Sequence, residues 1–205
     1  MASLGAYRTE RLRLVPIGAK HASQLWEIHQ DEGIARWSPL SREQALRFAE
    51  RMESSWRDHG VGKWLAYEQS TGAVVGRGGP SWAVVEGAGC VEIGWALRQE
   101  VWGRGYATEI GRAGLDLAFS VPGVEEVVAF TEVHNTRSLA VMERLGMRYV
   151  RRIVRPGLIA GSTVVHEDAP FALYRITRTV HLASSTVSCL CLPRGARSQQ
   201  RKEQA

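Results

Sequence analysis

The sequence lacks any apolar stretch that approaches the ~20 residues needed to span a bilayer, so no membrane-spanning helix is expected. Its first residues also lack the basic segment and apolar core of a secretory signal, which favours a cytoplasmic location. Cysteine is scarce, and the three residues Cys90, Cys189 and Cys191 are too few to close a disulfide framework. No Cys/His cluster has the spacing of a zinc site, and we expect no metal.

Charge of one sign is in only slight excess, with a formal net charge of +5 over 205 residues. Much of that excess lies in the segment 179–205, which is rich in Ser, Arg and Gln without sustained hydrophobic periodicity. We therefore predict one domain, residues 1–178, followed by a basic and disordered tail, residues 179–205. The domain has no basic stripe with interleaved aromatic residues, so a nucleic-acid partner is not expected. A ribosome- or nucleic-acid-associated module that works through the tail is one alternative.

Hydrophobic periodicity along the domain predicts a mixed α/β fold with the element order β-α-α-β-β-β-α-β-α-β-β. Ser41 followed by Gln44 is a capping-box pattern that opens the second helix. The segment Tyr106–Ser120 has an apolar stripe at helical spacing and directly follows three hairpin-spaced strands. After the next strand comes a short helix with Asn135 at its N-cap and Gly146 beyond its end.

The segment Trp102–Thr108, with the sequence Trp-Gly-Arg-Gly-Tyr-Ala-Thr, lies between a strand and that amphipathic helix. The start of a helix has unpaired N–H groups and the positive end of the helix dipole, so it favours an anion. Gly103 and Gly105 allow a sharp turn and a close approach of these N–H groups to a ligand, while Arg104 can donate to a phosphate. The pattern is neither a Walker loop nor a three-glycine dinucleotide fingerprint, and taken alone it also fits a plain Gly-rich turn.

Four segments, in this order and spacing, resemble the GNAT (Gcn5-related) N-acetyltransferases, in particular the branch that contains ribosomal-protein N-terminal acetyltransferases. They are Thr9-Glu-Arg-Leu-Arg-Leu, Glu92-Ile-Gly-Trp-Ala-Leu, Trp102-Gly-Arg-Gly-Tyr-Ala-Thr-Glu, and His134-Asn-Thr-Arg-Ser with Glu143-Arg-Leu-Gly-Met. The resemblance covers about Arg8 to Arg178 and implies a GNAT fold, with a mostly antiparallel mixed sheet of six to seven strands, splayed at its centre and flanked by about four helices. It also implies transfer of an acetyl group from acetyl-coenzyme A (acetyl-CoA) to an amine, by direct attack in a ternary complex.

The same resemblance implies which residues bind acetyl-CoA. Backbone N–H groups of the loop would hold the pyrophosphate, and Ala96 and Leu97 would hydrogen-bond the pantetheine arm through their backbone, like an added strand. Asn135 corresponds to the cofactor-contacting Asn of the family. The implied cofactor-binding residues are Ala96, Leu97, Trp102, Gly103, Arg104, Gly105, Tyr106, Ala107, Thr108 and Asn135.

Candidates for the chemistry come from the strand before the loop and from the short helix. By alternation, Glu92 shares a strand face with Gly94 and Ala96, which indicates a groove beside a carboxylate that can act as general base. A solvated residue or a structural ion pair is the alternative for Glu92, and a β-bulge would change the alternation. Many family members protonate the departing thiolate with a Tyr where this chain has Met142. The nearby Ser138 is our candidate for contact with the thiol sulfur, and capping of its own helix is its alternative role.

The acceptor pocket is predicted only in outline. Trp37 lies in the loop between two helices that walls the acceptor site in this family, and Trp82 follows Gly78-Gly-Pro-Ser. Packing in the core is the alternative for both indoles. The pattern does not distinguish a protein N-terminus from a small-molecule amine, since one fold serves many acceptors. A non-catalytic acyl-CoA sensor is the alternative to an enzyme, and an exposed strand edge leaves room for a homodimer.

Overall fold

The computed structural model describes residues 7–159 and 164–183, which form one open sheet with helices on both faces. Its eight strands are β1 (Tyr7–Arg8), β2 (Leu12–Pro16), β3 (Trp64–Glu68), β4 (Val74–Val85), β5 (Ala88–Leu97), β6 (Glu126–Glu132), β7 (Arg148–Leu158) and β8 (Val165–Thr177). They lie in the order β1-β2-β3-β4-β5-β6-β8-β7. All neighbouring strands are antiparallel except β5 and β6, which are parallel.

The helices are α1 (Ala22–Ile28), α2 (Glu32–Ala35), α3 (Arg42–His59), α4 (Tyr106–Ser120) and α5 (Thr136–Arg144), and residues 178–183 form a further helical segment. Side chains of neighbouring strand residues point to opposite faces of the sheet. Leu65 and Ala96 therefore pack under α1, α2 and α3, while Trp64 and Ile93 pack on the face covered by α4 and α5. Among the helices of the described ranges, none is long and apolar enough to cross a membrane.

The predicted starts of α3 and α5 are confirmed by their capping contacts, whereas the first predicted helix, Lys20–Gln30, is α1 from Ala22 without a side-chain cap. Ser41 Oγ accepts a hydrogen bond from Gln44 N–H (3.2 Å), and the Gln44 side chain accepts one from Ser41 N–H (2.7 Å), which completes the capping box of α3. Asn135 Oδ1 accepts from Ser138 N–H (3.2 Å) at the start of α5. The bounds of α4 agree with the predicted helix, Tyr106–Ser120.

The α/β fold class is confirmed, but the sheet has one strand more than the six to seven expected, and the short helix α2 was not predicted, nor was the helical segment 178–183. Thr9 N–H donates to Leu12 O (2.9 Å) and Thr9 Oγ1 accepts from Leu12 N–H (3.0 Å), so a turn divides the first predicted strand into β1 and β2. Asp31 accepts from Gly33 N–H (2.9 Å) and thereby caps α2. The extra strand and α2 both come from local turn chemistry, which hydrophobic periodicity does not reveal.

The hairpin of β4 and β5 keeps one register along its whole length. Its turn residues Glu86 and Gly87 both have positive φ, 49° and 83°, as a tight two-residue hairpin turn requires. No bulge interrupts β5 along this pair, so the predicted alternation holds and Ile93 is buried on the α4 face. Glu92 lies on the opposite face, across from Ser81.

The two parallel strands at the centre of the sheet separate soon after they pair. β5 and β6 are in register at two positions only, Val91 with Val127 and Glu92 with Val128. Beyond these positions both strands continue without a ladder between them. The predicted splay is therefore confirmed. Backbone polar groups along the facing edges are left to bind another chain-like molecule.

Ordered structure continues past the predicted domain boundary at residue 178. Arg178 donates to three backbone carbonyls at and beyond the C-terminal end of α4, at 2.5 to 3.2 Å. In the helical segment 178–183, His181 Nε2 lies 2.8 Å from Asp116 Oδ1. The rest of the predicted tail, residues 184–205 with Cys189 and Cys191, lies outside the described residues.

Candidate active site

The loop between β5 and α4 presents backbone N–H groups at the start of a helix. Gly103 and Gly105 have left-handed backbone, with φ of 77° and 81°, and Gly105 is the N-cap residue of α4. A Cβ is strained at such angles, so this path of the chain requires glycine. No side chain in the described part of the molecule caps α4. The N–H groups of its first turn, from Tyr106 to Thr108, are therefore available to an anion.

Two residues near the N-terminus hold this helix start in place. Thr9 Oγ1 donates to Glu109 Oε1 (2.6 Å), and Arg11 contacts the same carboxylate with its backbone N–H (2.9 Å) and its guanidinium (2.6 and 2.8 Å). Arg11 Nη1 also donates to the carbonyl oxygen of Arg104 (2.8 Å). Burial tends to raise the pKa of Glu109, but the hydrogen bonds from Thr9 and Arg11 outweigh it and lower that pKa. Thr9 and Arg11 belong to the first family-like segment of the sequence and Glu109 to the third, so the fold brings these two segments into contact.

The side chains of Tyr106 and Arg104 turn toward β3, where both approach Glu68. Tyr106 OH donates to the Glu68 carboxylate, and this hydrogen bond raises the pKa of the phenol. Arg104 Nη1 lies 3.9 Å from the same carboxylate, and 56% of the Arg104 side chain is exposed. An ion pair so long and exposed is weak. The guanidinium can exchange it for a phosphate, and that role of Arg104 stays a prediction.

Trp102 joins the loop to its surroundings on three sides. Its indole Nε1 donates to Leu97 O (2.9 Å). Its ring lies against Gly33 of α2, where an added Cβ would be 2.6 Å from Trp102 Cζ2. The guanidinium of Arg137 lies over the ring, 4.4 Å from its centroid. The indole therefore positions the loop relative to α2 and α5, and its N–H is already engaged within the protein.

Backbone directions identify the groups of β5 that face the opening beside β6. A Cβ placed on Gly76 of β4 would lie 2.3 Å from Ala96 O, so Ala96 directs its carbonyl toward β4. Backbone polar groups alternate along a strand, so those of Trp95 and Leu97 face the opening. The predicted backbone contact to the pantetheine arm is therefore available at Trp95 and at the N–H of Leu97, whose carbonyl already accepts from Trp102 Nε1. Ala96 uses its polar groups within the sheet.

α5 follows β6, the other wall of the opening. Asn135 caps this helix through Oδ1, which leaves its side-chain NH₂ group as a donor for a ligand. The Ser138 hydroxyl is therefore not the cap; the side chain is half-buried and its Oγ makes no hydrogen bond within the described ranges. Met142 is 2% exposed and packs in the core beside α4. The thioether of Met142 is therefore buried at the position where many family members have a tyrosine that protonates the thiolate.

Glu92 is bonded to neighbouring side chains on its face of the sheet. Its Oε2 accepts hydrogen bonds from Lys63 Nζ (2.7 Å) and Ser81 Oγ (3.3 Å). Lys63 Nζ also donates to Gly79 O (3.3 Å), and burial lowers the pKa of this ammonium. The ion pair occupies the space above Gly94, where an added Cβ would be 2.7 Å from Glu92 Oε1. The structural ion pair considered for Glu92 is present, and its role as base stays a prediction.

A second buried cation, Arg77, lies on the same face of the sheet. Its Nε donates to His29 Nε2 (2.9 Å) and its Nη2 donates to Ser38 Oγ (3.1 Å). Because His29 Nε2 accepts, the imidazole carries its proton on Nδ1, which donates to Ser38 O (2.5 Å). Burial, reinforced by Arg77, lowers the pKa of His29 to about 3, and burial lowers the pKa of Arg77 to about 10. The imidazole is neutral at physiological pH.

The two indoles predicted for the acceptor pocket lie apart. The Trp37 ring contacts His134 with 5.1 Å between centroids, so it joins the loop before α3 to the turn between β6 and α5. Trp82 is 42% exposed and stacks on His59 at the end of α3, 4.6 Å between centroids. It lies opposite Val91, on the paired side of the point where β5 and β6 separate. Trp37 is thus beside the opening, and Trp82 is not.

Two cavities border these groups. One of about 470 Å³ lies between the first strands and α4, and Thr9, Gly105 and Thr108 are part of its lining. The other, of about 330 Å³, lies on α3 and is lined by Leu40, Gln44, Arg47, Phe48 and Arg51. Within residues 7–159 and 164–183, no group of three or more His, Cys, Asp or Glu side chains is arranged to hold a metal ion.

Sequence reasoning missed Lys63, Arg77 and His29. Lys63 directly precedes β3, and His29 falls on the apolar face of its helix, so neither stands out. Arg77 gave a usable signal, because it stands among glycines within a strand, in Gly76-Arg-Gly-Gly. Glycines in a strand mark close approach of other groups, and a charge between them is unusual.

Comparison with known proteins gives a consistent assignment. Residues 11–148 match the family model described as an acetyltransferase (GNAT) domain. The uncharacterized protein YkkB of Bacillus subtilis is 33% identical over 148 residues, which are 71% of this chain and 86% of that protein.

Solved structures share the fold at lower identity. A GnaT-family acetyltransferase from Bordetella pertussis has a TM-score of 0.69 and 23% identity, and the match covers 83% of this chain and 98% of that one. The ribosomal-protein-S5-alanine acetyltransferase from Vibrio fischeri has a TM-score of 0.65 at 13% identity, over 84% and 96%. The microcin C7 self-immunity acetyltransferase MccE, solved with acetyl-CoA and AMP, has a TM-score of 0.66 at 15% identity, over 86% and 97%.

The chain belongs to the GNAT acetyltransferase family. The matched region contains the loop, the splayed strands and α5, which together form the site described above. The resemblance seen in the sequence is thereby confirmed, and ribosomal-protein acetyltransferases are among the proteins of similar fold.

Proposed function

We propose that this chain transfers the acetyl group of acetyl-CoA to an amine, by direct attack of the amine in a ternary complex. One observation carries the proposal: the unpaired N–H groups at the start of α4 lie directly after the β5 edge that the splay leaves open. An anion site followed by a free strand edge suits a long ligand with a pyrophosphate and an amide-containing arm. We expect the protein to act in the cytoplasm.

Each part of the site has a proposed role in binding. The N–H groups of the loop from Gly103 to Thr108 would hold the pyrophosphate, with Arg104 as an additional donor. The backbone groups of Trp95 and Leu97 would hydrogen-bond the pantetheine arm. The Asn135 amide would donate to the same arm from the opposite wall.

The reaction forms a C–N bond at the thioester carbon and breaks its C–S bond, while the amine loses a proton and the thiolate departs. Acetyl-CoA supplies an activated acyl group, so positioning and polarisation of the carbonyl by backbone N–H groups are the main contributions of the protein. Glu92 is the proposed acceptor of the amine proton, through a water molecule. The Ser138 hydroxyl is the proposed donor to the departing sulfur.

Direct attack is favoured over an acyl-enzyme route by the state of Cys90. This thiol is half-buried, and burial raises its pKa, so little of the nucleophilic thiolate is present at neutral pH. A Cys90→Ser variant is expected to retain activity. Loss of activity in a folded Cys90→Ser protein would overturn direct attack.

The test of the proposed function is release of the CoA thiol from acetyl-CoA in the presence of a panel of amines. Amino acids, polyamines, small antibiotics and peptides with free N-termini make up the panel, and mass analysis identifies the product. We expect thiol release that depends on the amine and equals the acetylated product. Binding of acetyl-CoA without release for every amine would instead support a sensor, the alternative that buried Met142 favours because it supplies no acid.

We also propose that the chain can form a homodimer through an edge of its sheet. β7 forms one edge of the sheet and exposes Tyr149 and Val154. An unpaired edge with apolar side chains can join a second copy. Light scattering on the full chain measures this directly, and a monomeric mass at micromolar concentration would exclude it.

A further inference from the structure

The sheet face that carries Glu92 also buries two cations, Lys63 and Arg77, and a second carboxylate, Glu132. Lys63 is 6% exposed and Arg77 is 7% exposed, so both cations are buried. Lys63 is paired with Glu92. Within the described residues no carboxylate lies within 4.0 Å of the Arg77 guanidinium. A buried charge without a close counter-charge is costly, and a bound anion would relieve that cost.

The guanidinium of Arg77 is fixed in place and has one side available. The bonds to His29 and Ser38 use Nε and one N–H of Nη2. Nη1 makes no hydrogen bond within the described part of the chain, and it is not fully buried. It therefore borders accessible space. A planar guanidinium held by two bonds, with two further N–H groups presented, is prepared for a carboxylate.

Arg77 contacts Phe48, one of the residues that line the cavity on α3. The Arg77 guanidinium lies 4.6 Å from the centroid of the Phe48 ring, and that of Arg51 lies 5.2 Å from the same centroid. Phe48 and Arg51 both line the 330 Å³ cavity. Arg47 also lines it, but it is paired with Glu43. An apolar ring in contact with two guanidinium groups suits a ligand with a short apolar part and an anionic end.

We propose that the acceptor is a small molecule that carries a carboxylate as well as its amine, and that Arg77 binds this carboxylate with Arg51 at the mouth of the cavity. The amine then lies toward Glu92, whose carboxylate is close enough to raise the pKa of Arg77 against the effect of burial. This inference rests on the proposed function. It favours amino-acid-like acceptors over protein N-termini, which lack a carboxylate fixed near the amine.

The experiment compares pairs of acceptors with and without the anionic group, at equal concentrations of the unprotonated amine. Each amino acid that is acetylated is compared with its carboxamide, and phosphoethanolamine is compared with ethanolamine. We expect the wild-type protein to prefer the carboxylate over the amide by about tenfold or more in kcat/KM, as loss of a charge-assisted hydrogen bond predicts. Equal turnover of acid and amide would overturn the inference, and a larger gain from phosphate would reassign the site to phosphorylated amines.

Variants locate the effect. Arg77→Gln is expected to abolish the preference for the acid, and Arg51→Gln, at an exposed position, to reduce it severalfold. Arg42→Gln is the matched control, because Arg42 is an exposed arginine of the same helix that stacks on Trp26 instead. If Arg77→Gln folds and both variants keep the wild-type preference for the acid, the assignment is contradicted. Failure of the proposed function itself is distinguishable, since no amine of either kind would then release thiol while acetyl-CoA still binds.

Discussion

Arg11 and Glu109, separated by 98 residues in the chain, form the contact that fixes the start of α4. Arg11 donates to the Glu109 carboxylate from both backbone and side chain, and a further bond from its guanidinium reaches Arg104 O in the loop. One carboxylate thus joins the first strands to the first turn of the helix. The position of the proposed pyrophosphate site depends on this contact, although neither side chain is proposed to touch the ligand.

The first prediction concerns Glu109→Gln. This change removes the charge that Thr9 and Arg11 bind, so we expect the free energy of unfolding to fall by about 1.5–3 kcal/mol and acetyl-CoA affinity to weaken. Because the pKa of Glu109 is lowered, its stabilisation is present above pH ~4.5 and declines as the pH falls further. Chemical denaturation and calorimetry measure both effects. The control is Glu126→Gln, which breaks an exposed ion pair with Arg175 and is expected to cost under ~1 kcal/mol. Equal effects of the two changes would show that Glu109 stabilises the chain no more than an exposed ion pair does.

The second prediction separates backbone strain from ligand binding. Gly105→Ala places a Cβ on a residue with φ of 81°, at the end of the proposed anion site. Gly123→Ala does the same at φ of 80°, in a turn after α4 with nothing within 4 Å of the added atom. Both changes are expected to cost about 1–2 kcal/mol of stability. Only Gly105→Ala is expected to weaken acetyl-CoA binding, by tenfold or more, and equal affinities by calorimetry would move the anion site elsewhere.

The third prediction distinguishes the structural role of Glu92 from its proposed chemical role. Glu92→Leu leaves the Lys63 ammonium buried without its counter-charge, so we expect a loss of about 3–5 kcal/mol. The double change Lys63→Met with Glu92→Leu is expected to recover most of that stability, because it removes both charges. Activity is expected to stay low in the double variant if Glu92 accepts the amine proton. Restored turnover along with restored stability would limit Glu92 to a structural role.

The fourth prediction follows from the low pKa of His29. The folded chain keeps this imidazole neutral down to a pH of about 3, whereas an unfolded histidine binds a proton below about 6.5. Acidification therefore favours the unfolded state, by about 1.4 kcal/mol per pH unit between these limits. His29→Asn is expected to remove that part of the slope between pH 6.5 and 5. The exposed His59→Asn variant serves as the comparison, and identical slopes for the two variants would contradict the account.

Local sequence signals predicted the helices that begin after a glycine turn or after a capping side chain. α4 follows Gly105 and α5 follows Asn135, because turn geometry and capping depend on neighbouring residues alone. The partners of Glu92 could not be predicted in this way. Lys63 is 29 residues away and reaches Glu92 only because β3, β4 and β5 lie side by side. Strand order and register decide such contacts, and a single sequence does not contain them in any local pattern.

The cofactor site and the acceptor site differ in the same respect. The proposed cofactor site consists of backbone groups, which the glycine spacing and the helix start indicate. The proposed acceptor site lies on the sheet face that carries His29, Lys63 and Arg77, which come from different elements and were not predicted together. The family resemblance supplied the general place of an acceptor but none of its chemistry.

The central claim is that the acetyl group passes directly from acetyl-CoA to an amine in this site. The most direct test is a single-turnover reaction with an isotopically labelled acetyl group, an acceptor amine identified by the panel and the full chain, followed by mass analysis of protein and products. The account predicts label in the acceptor amine in the same amount as free CoA thiol, with none on the protein. Label retained on the protein, or bound acetyl-CoA that releases no thiol, would contradict it.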